Sequence, residues 1–182
     1  PQKRSYKNSD PLSEGAGLDY AANTGSGPYD EYGMGPSSMD DAQDFPWPMN
    51  CNGPIFTHSK MALSEITDGT SVTYLVGEKY INSDDYSNGV DQGDDHGIYE
   101  GCGADTNRWC TYSDDPQNAL VPRQDTPGMS FYWIFGSAHA GACNFVFCDG
   151  SVRVISYEIN SRTHSYLGSG IDGQVVAPEN YQ

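Results

Sequence analysis

The stretch Asn144-Phe145-Val146-Phe147-Cys148-Asp149-Gly150-Ser151-Val152-Arg153-Val154-Ile155 decides the fold class. β-Branched and aromatic residues flank Asp149-Gly150 on both sides. That dipeptide is a strong hairpin signal, because a type I′ turn needs positive φ at both central positions. The reading predicts two antiparallel strands joined by a two-residue loop. In that register Phe145 and Phe147 share a face with Val152 and Val154, while Val146, Arg153 and Ile155 take the other.

Working outward, Tyr157 to Leu167 is expected to form a short helix with Gly168 as its C-cap. Upstream, Asp68-Gly69 marks a turn, and Val72-Thr73-Tyr74-Leu75-Val76-Gly77-Glu78 has strand composition. Gly53 to His58 reads as another short strand. Residues 1–50 are dense in Gly and Pro, which forbids a long helix, yet Leu18, Tyr20, Tyr29, Tyr32, Phe45 and Trp47 run through them. A long ordered loop packed on the core is expected there. Residues 82–127 carry ten acidic side chains against Arg108 and Arg123, and read as an insertion over the scaffold. No repeat appears at a solenoid period. Residues 1–182 are thus expected to form one α+β, β-rich domain with an antiparallel sheet and long loops.

Composition limits the function. The chain of 182 residues has 25 acidic and 9 basic side chains and a formal charge of -16. Neutralising phosphate needs Lys and Arg, so the charge balance argues against nucleic acid and anionic membrane surfaces as partners. No apolar run approaches the roughly 20 residues that span a bilayer. The sequence opens at Pro1 with neither signal peptide nor initiator Met, which is expected of a processed or trimmed product. Its five cysteines, Cys51, Cys102, Cys110, Cys143 and Cys148, include no C-x-x-C pair, arguing against a zinc ribbon or thioredoxin-type site. In an acidic, Tyr-rich chain they are disulfide candidates of an exported protein, and Cys102 and Cys110, which bracket a short loop with Gly103 and Trp109, are the favoured local bridge. The odd number leaves either a free thiol or a sixth cysteine upstream.

Candidate chemistry is sparse. Asp84, Asp91, Asp94 and Asp95 are candidate Ca²⁺ ligands, since hard cations take carboxylate oxygens; the plain alternative is a solvated charge run. Tyr86 falls where an EF-hand needs an oxygen ligand, which rejects that motif. His58, His96, His139 and His164 lack an H-x-x-x-H spacing. Gly136-Ser137-Ala138-His139 lacks the G-x-S-x-G elbow of a serine hydrolase. No nucleotide-binding glycine pattern occurs. His139, nine residues before Asp149-Gly150, reads as a structural residue bonding a loop carbonyl, or else as a ligand for metal or substrate. No cofactor other than Ca²⁺ is suggested.

The run from Phe135-Gly136-Ser137-Ala138-His139 to Asp149-Gly150-Ser151-Val152-Arg153 resembles the signature of the planctomycete prepilin-like proteins: a His, nine residues, then Asp-Gly. Asp19-Tyr20-Ala21-Ala22-Asn23-Thr24-Gly25 is similar to that family's "DYAANxG" element. Ile66-Thr67-Asp68-Gly69-Thr70-Ser71 with Gly77-Glu78 resembles its "iTDGTSNT…lGE" element, and Gly168 to Val176 its closing "GTRNGGEVV". Ile171 and Gln174 depart from the closing motif, and Val72 stands where Asn is usual. Pro1-Gln2-Lys3-Arg4 is similar to "CPSRR", whose cysteine would be the sixth. The resemblance implies a type IV pilin or pseudopilin-like head on an N-terminal hydrophobic helix that this sequence lacks. It further implies export to the cell surface, assembly into a homo-oligomer or filament through that helix, membrane contact only through it, and no enzymatic activity. His139, Asp149 and Gly150 would then stabilise the hairpin.

Overall fold

The computed structural model describes residues 3–5, 14–27, 36, 38–45, 47, 51–99, 101–112, 119–177 and 181. The fold is mixed α/β and β-rich. Strands β1 (Lys3–Ser5) and β2 (Glu14–Ala16) form a small antiparallel pair. The main sheet holds β3 (Tyr20–Ser26), β4 (Tyr74–Glu78), β5 (Asn107–Thr111), β8 (Ala142–Phe147) and β9 (Val152–Ser156) in the order β5-β3-β4-β8-β9. Strands β6 (Arg123–Gln124) and β7 (Gly136–Ser137) make a short parallel pair beside it. The one described α-helix, α1, spans Ser161–Gly168, and no helix among the described residues is long and apolar enough to cross a membrane. The sheet is mixed, not wholly antiparallel as expected, because β5 runs parallel to β3. That edge strand comes from the acidic segment 82–127, so the segment supplies core as well as surface.

The hairpin forms, with a different turn. Val146 pairs with Val152 and Phe145 with Arg153, one residue away from the expected register. The Gly150 N–H reaches the Phe147 carbonyl at 2.9 Å and the Phe147 N–H reaches Ser151 at 2.9 Å, so the loop has three residues. Gly150 alone carries the positive φ, at 83°. This is a turn closed by a left-handed glycine, not a type I′ turn. Asp149 avoids the left-handed region by folding its carboxylate over the turn, where Oδ1 accepts from the Ser151 N–H (2.9 Å) and Oγ (2.7 Å). A one-residue change swaps faces. Phe145 and Phe147 now share the core side with Ile155 and Arg153, and Val152 and Val154 turn outward, 66% and 62% exposed. Arg153 tolerates the inner side because its guanidinium lies 4.2 Å over the Phe147 ring and 5.5 Å from that of Tyr181.

Tyr74 centres the core, its ring stacked on Phe145 at 4.1 Å and edge-on to Phe147 at 5.1 Å. Each such buried aromatic contributes about 2–3 kcal/mol through removal from water. Helix α1 packs against β3 and β5. It starts later than expected because Asn160 caps it, accepting from the N–H groups of Arg162 (3.0 Å) and Thr163 (3.3 Å). Gly168 is required for closeness, not for a left-handed cap: a Cβ there would stand 2.4 Å from the Cys110 Cβ. Residues 53–58 form no strand. The N–H groups of Gly53 and Ile55 bond the Thr24 and Asn23 carbonyls (3.0 and 3.1 Å), but Pro54 has no N–H and the chain turns at His58, φ 64°. Trp47 stacks on His58 at 4.8 Å, packing that part of the early loop; much of the rest of residues 1–50 lies outside the described residues.

No disulfide joins the five cysteines, against the expected bridge. Cys102 is exposed and its thiol donates to Asn107 Oδ1 at 3.2 Å. Cys110 is buried beneath α1, where burial raises its thiol pKa.

His164 lies fully buried on α1 beside Tyr74, ring centroids 5.6 Å apart. Burial pushes its imidazole from 6.5 down to about 3, against a smaller upward pull from the Leu120 carbonyl. The unfolded chain therefore binds a proton between pH 6.5 and 3 that the native state refuses, and this contribution to stability is lost as pH falls through that window. Asp172, raised to about 6 mainly by burial, acts in the opposite sense, so the comparison must be with a variant. The wild-type minus His164→Leu difference in unfolding free energy should fall by about 1.4 kcal/mol per pH unit below pH 6.5 in urea titrations. A pH-independent difference would contradict a neutral buried imidazole.

Candidate functional site

The motif residues do not converge. His139 precedes β8 and Asp149 follows it, so six strand residues hold them on the order of 20 Å apart. Asp149 serves the turn, and its backbone N–H bonds the Thr70 carbonyl at 3.0 Å. Hydrogen bonds from Ser151 hold its carboxyl below the usual range. His139 instead joins a cleft of about 290 Å³ at the other end of the hairpin.

Four elements build this cleft. Glu78 ends β4 on the outer face of the sheet, where its Oε2 accepts from the Asn144 backbone N–H (2.7 Å) and side-chain amide (3.1 Å). Its Oε1 faces His139 Nε2 at 3.5 Å, the imidazole side chain 66% exposed and the carboxylate 11%. The loop carrying His139 is clamped by Tyr157, whose hydroxyl donates within 3.1 Å of the carbonyls of Ser137 and His139. Burial pushes the Tyr157 phenol up to about 12. Asp125, just after β6, accepts from the Ile81 N–H (3.1 Å) and the Tyr86 hydroxyl (2.7 Å). Burial raises the Asp125 carboxyl, the Tyr86 hydrogen bond pulling it back down; the Tyr86 phenol is raised, by burial first. Asp19 and Tyr20 complete the wall.

The cleft offers polar groups to a ligand. Ser137 Oγ contacts Tyr157 Oη (3.0 Å), the His139 backbone N–H (3.2 Å) and the Ala142 carbonyl (3.4 Å), and the His139 imidazole is directed to Glu78. Three carboxylates, two phenols and an exposed imidazole around an open cleft suit a polyhydroxylated or cationic group. His139 was legible from its motif. Glu78 stood in the "GE" element, but nothing local linked it to His139, and Asp125 was one acid among ten.

The four candidate Ca²⁺ ligands are engaged separately. Asp84 Oδ2 accepts from the Gly128 N–H at 2.9 Å. Asp91 accepts from the Asn82 N–H (2.7 Å) and the Gly93 N–H (2.8 Å). Asp94 pairs with the buried Lys79 ammonium at 2.7 Å. Asp95 alone falls in a cluster with metal-ligand spacing, together with His96 and Asp105, which were not singled out in the sequence. Burial raises the Asp95 carboxyl, with the Asp105 charge adding to it.

The described residues form a β-rich mixed α/β fold with an anionic and aromatic cleft beside His139. The chain belongs to the family described as "Protein of unknown function (DUF1559)", whose profile matches residues 4–162. Comparison with curated proteins and with solved structures finds no match.

Replacing Tyr86 by Phe removes the hydrogen bond that holds Asp125 down, so the Asp125 carboxyl should titrate at higher pH. The carboxyl carbon shift in NMR titrations of both proteins reads this directly. The variant should lose about 1 kcal/mol of stability, and an unmoved titration would rule out the bond.

Proposed function

We propose that this chain is an exported, pilin-like head, a non-enzymatic structural or surface-interaction subunit of an extracellular filament or pseudopilus. The observation that carries the reading is the outer face of β9. It is an edge strand of the main sheet, and Val152 and Val154 stand more than half exposed on it, beside the partly buried Val146. Edge strands are normally protected with charge, Pro or bulges, and adjacent exposed apolar side chains on an edge suit a subunit that packs against a neighbouring copy. The prepilin-like motifs, in family order along the chain, support the same reading. Negative-stain microscopy of native material should show assemblies, and Val152→Lys/Val154→Lys should abolish them while shifting stability by no more than about 1 kcal/mol. Strictly monomeric native particles would sink the proposal.

A second reading, a glycan-binding surface module, is favoured by the cleft, where Tyr20 and Tyr86 accompany Asp19, Glu78 and Asp125. Backbone NMR shifts on adding neutral oligosaccharides should then cluster at residues 78, 86, 125 and 139 and vanish in Glu78→Gln. Shifts absent or spread over the surface would remove this reading.

A further inference from the structure

Two buried cations organise the acidic segment. The Lys79 ammonium, on the residue after β4, bonds the carbonyls of Gly93 (2.8 Å) and Asp105 (2.9 Å) besides pairing with Asp94. The Arg108 guanidinium, fully buried on β5, bonds the carbonyls of Ile134 (2.9 Å), Tyr80 (3.2 Å) and Gly93 (3.2 Å), and that of Ala104. Gly93 and Asp105 are thereby fixed on the same ammonium, and the residues beside them, Asp95 and His96, come against Asp105.

His96 Nδ1 lies 3.0 Å from Asp95 Oδ1 and 3.4 Å from Asp105 Oδ2. Two ligand atoms at about 2.1 Å from one metal ion are separated by about 3.0 Å at a right angle and about 3.4 Å at a tetrahedral angle. Both spacings therefore match donors sharing an ion. A second observation points the same way. The Asp105 side chain is 7% exposed; its Oδ1 accepts from the His96 backbone N–H at 2.9 Å, and its Oδ2 faces the imidazole. A buried carboxylate facing a second carboxylate across one imidazole is costly unless positive charge lies between them, and a bound ion supplies it as well as a protonated ring does.

We propose that Asp95, His96 and Asp105 form a binding site for a divalent transition ion of the zinc class, with water completing the coordination. The imidazole nitrogen selects against Ca²⁺ and Mg²⁺, which take oxygen donors in larger number. Such an ion would tie residues 95–96 to residue 105 and close the loop between them. It stands apart from the Glu78–His139 cleft and is independent of the assembly reading.

The whole 182-residue chain, stripped with EDTA and dialysed, is titrated with Zn²⁺ and separately with Ca²⁺ by calorimetry, with elemental analysis after gel filtration. One zinc equivalent is expected, bound at least tenfold more weakly by His96→Gln and Asp105→Asn and unchanged in Asp84→Asn. X-ray absorption of the zinc form should show a nitrogen and oxygen shell containing one imidazole. Asp105→Asn must match the wild-type circular dichroism to count; otherwise His96→Gln, at a half-buried position, decides. Absence of stoichiometric zinc, undiminished binding by His96→Gln, or binding of Ca²⁺ in preference to Zn²⁺ would each overturn the proposal.

Discussion

One buried amide sets the spacing of the sheet. Asn23 has no solvent exposure, so its donors and acceptor must be satisfied by the protein. Its Nδ2 donates to the carbonyls of Tyr74 on β4 and Gly168 at the end of α1, both at 2.8 Å. Its Oδ1 accepts from the Gly25 N–H at 2.9 Å and faces the Cys110 thiol on β5 at 3.5 Å. A single side chain thus joins three strands and the helix, and also fixes the β3 irregularity between Asn23 and Gly25. The aromatic core around Tyr74 packs in the space these bonds define. Each bond is worth only about 1 kcal/mol, but losing the amide would orphan several buried groups at about 1–3 kcal/mol each. For that reason the position specifies geometry more than it adds stability.

A similar economy governs the charges. Among the described residues five acidic side chains, Asp68, Glu78, Asp91, Asp94 and Asp105, are buried, and of the nine basic residues Lys79 and Arg108 are. Both bond carbonyls of the segment that follows β4, and Asp94 is a direct counter-ion of Lys79. Buried cations are costly to desolvate, and here dense hydrogen bonding offsets that cost. The result is that an acidic, loop-rich segment is anchored at defined points and can present Asp125 and Tyr86 to the cleft. The same anchoring brings Asp95 and His96 against Asp105.

What sequence reasoning could see follows from range. The hairpin, the strand ending at Glu78 and the helix ending at Gly168 are local patterns, and they were legible. The turn was misassigned because Asp-Gly suits a two-residue loop and a three-residue loop alike; burial of Ile155 and the Asp149–Ser151 bonds select the latter. Strand β5 was hidden because Asn107-Arg108-Trp109-Cys110-Thr111 carries an arginine that pattern reading assigns to solvent. Its burial depends on carbonyls 4 to 28 residues away. The Cys102–Cys110 proximity in sequence said nothing about direction: one thiol faces out and the other faces α1. The cleft was legible only at His139, since Glu78 reaches it across 61 residues and Asp125 across 14.

The spacing between His139 and Asp149 has a physical meaning. Nine residues between His139 and Asp149 are what it takes to leave the Tyr157-clamped loop, run the six residues of β8 and arrive at the turn. The interval measures a strand and not a pair of ligands. Other elements work likewise as backbone latches. Asp68 Oδ2 and Oδ1 accept from the N–H groups of Asp172 (2.8 Å) and Gly173 (2.9 Å), tying the "TDGT" turn to the closing segment. The Cys148 N–H bonds the Thr73 carbonyl at 2.9 Å, tying the hairpin tip to the start of β4. Such bonds fix where loops leave the scaffold while leaving the loops' content unconstrained. Chemistry particular to this chain should therefore be sought between these latches, in the acidic segment and on the outer face of β9.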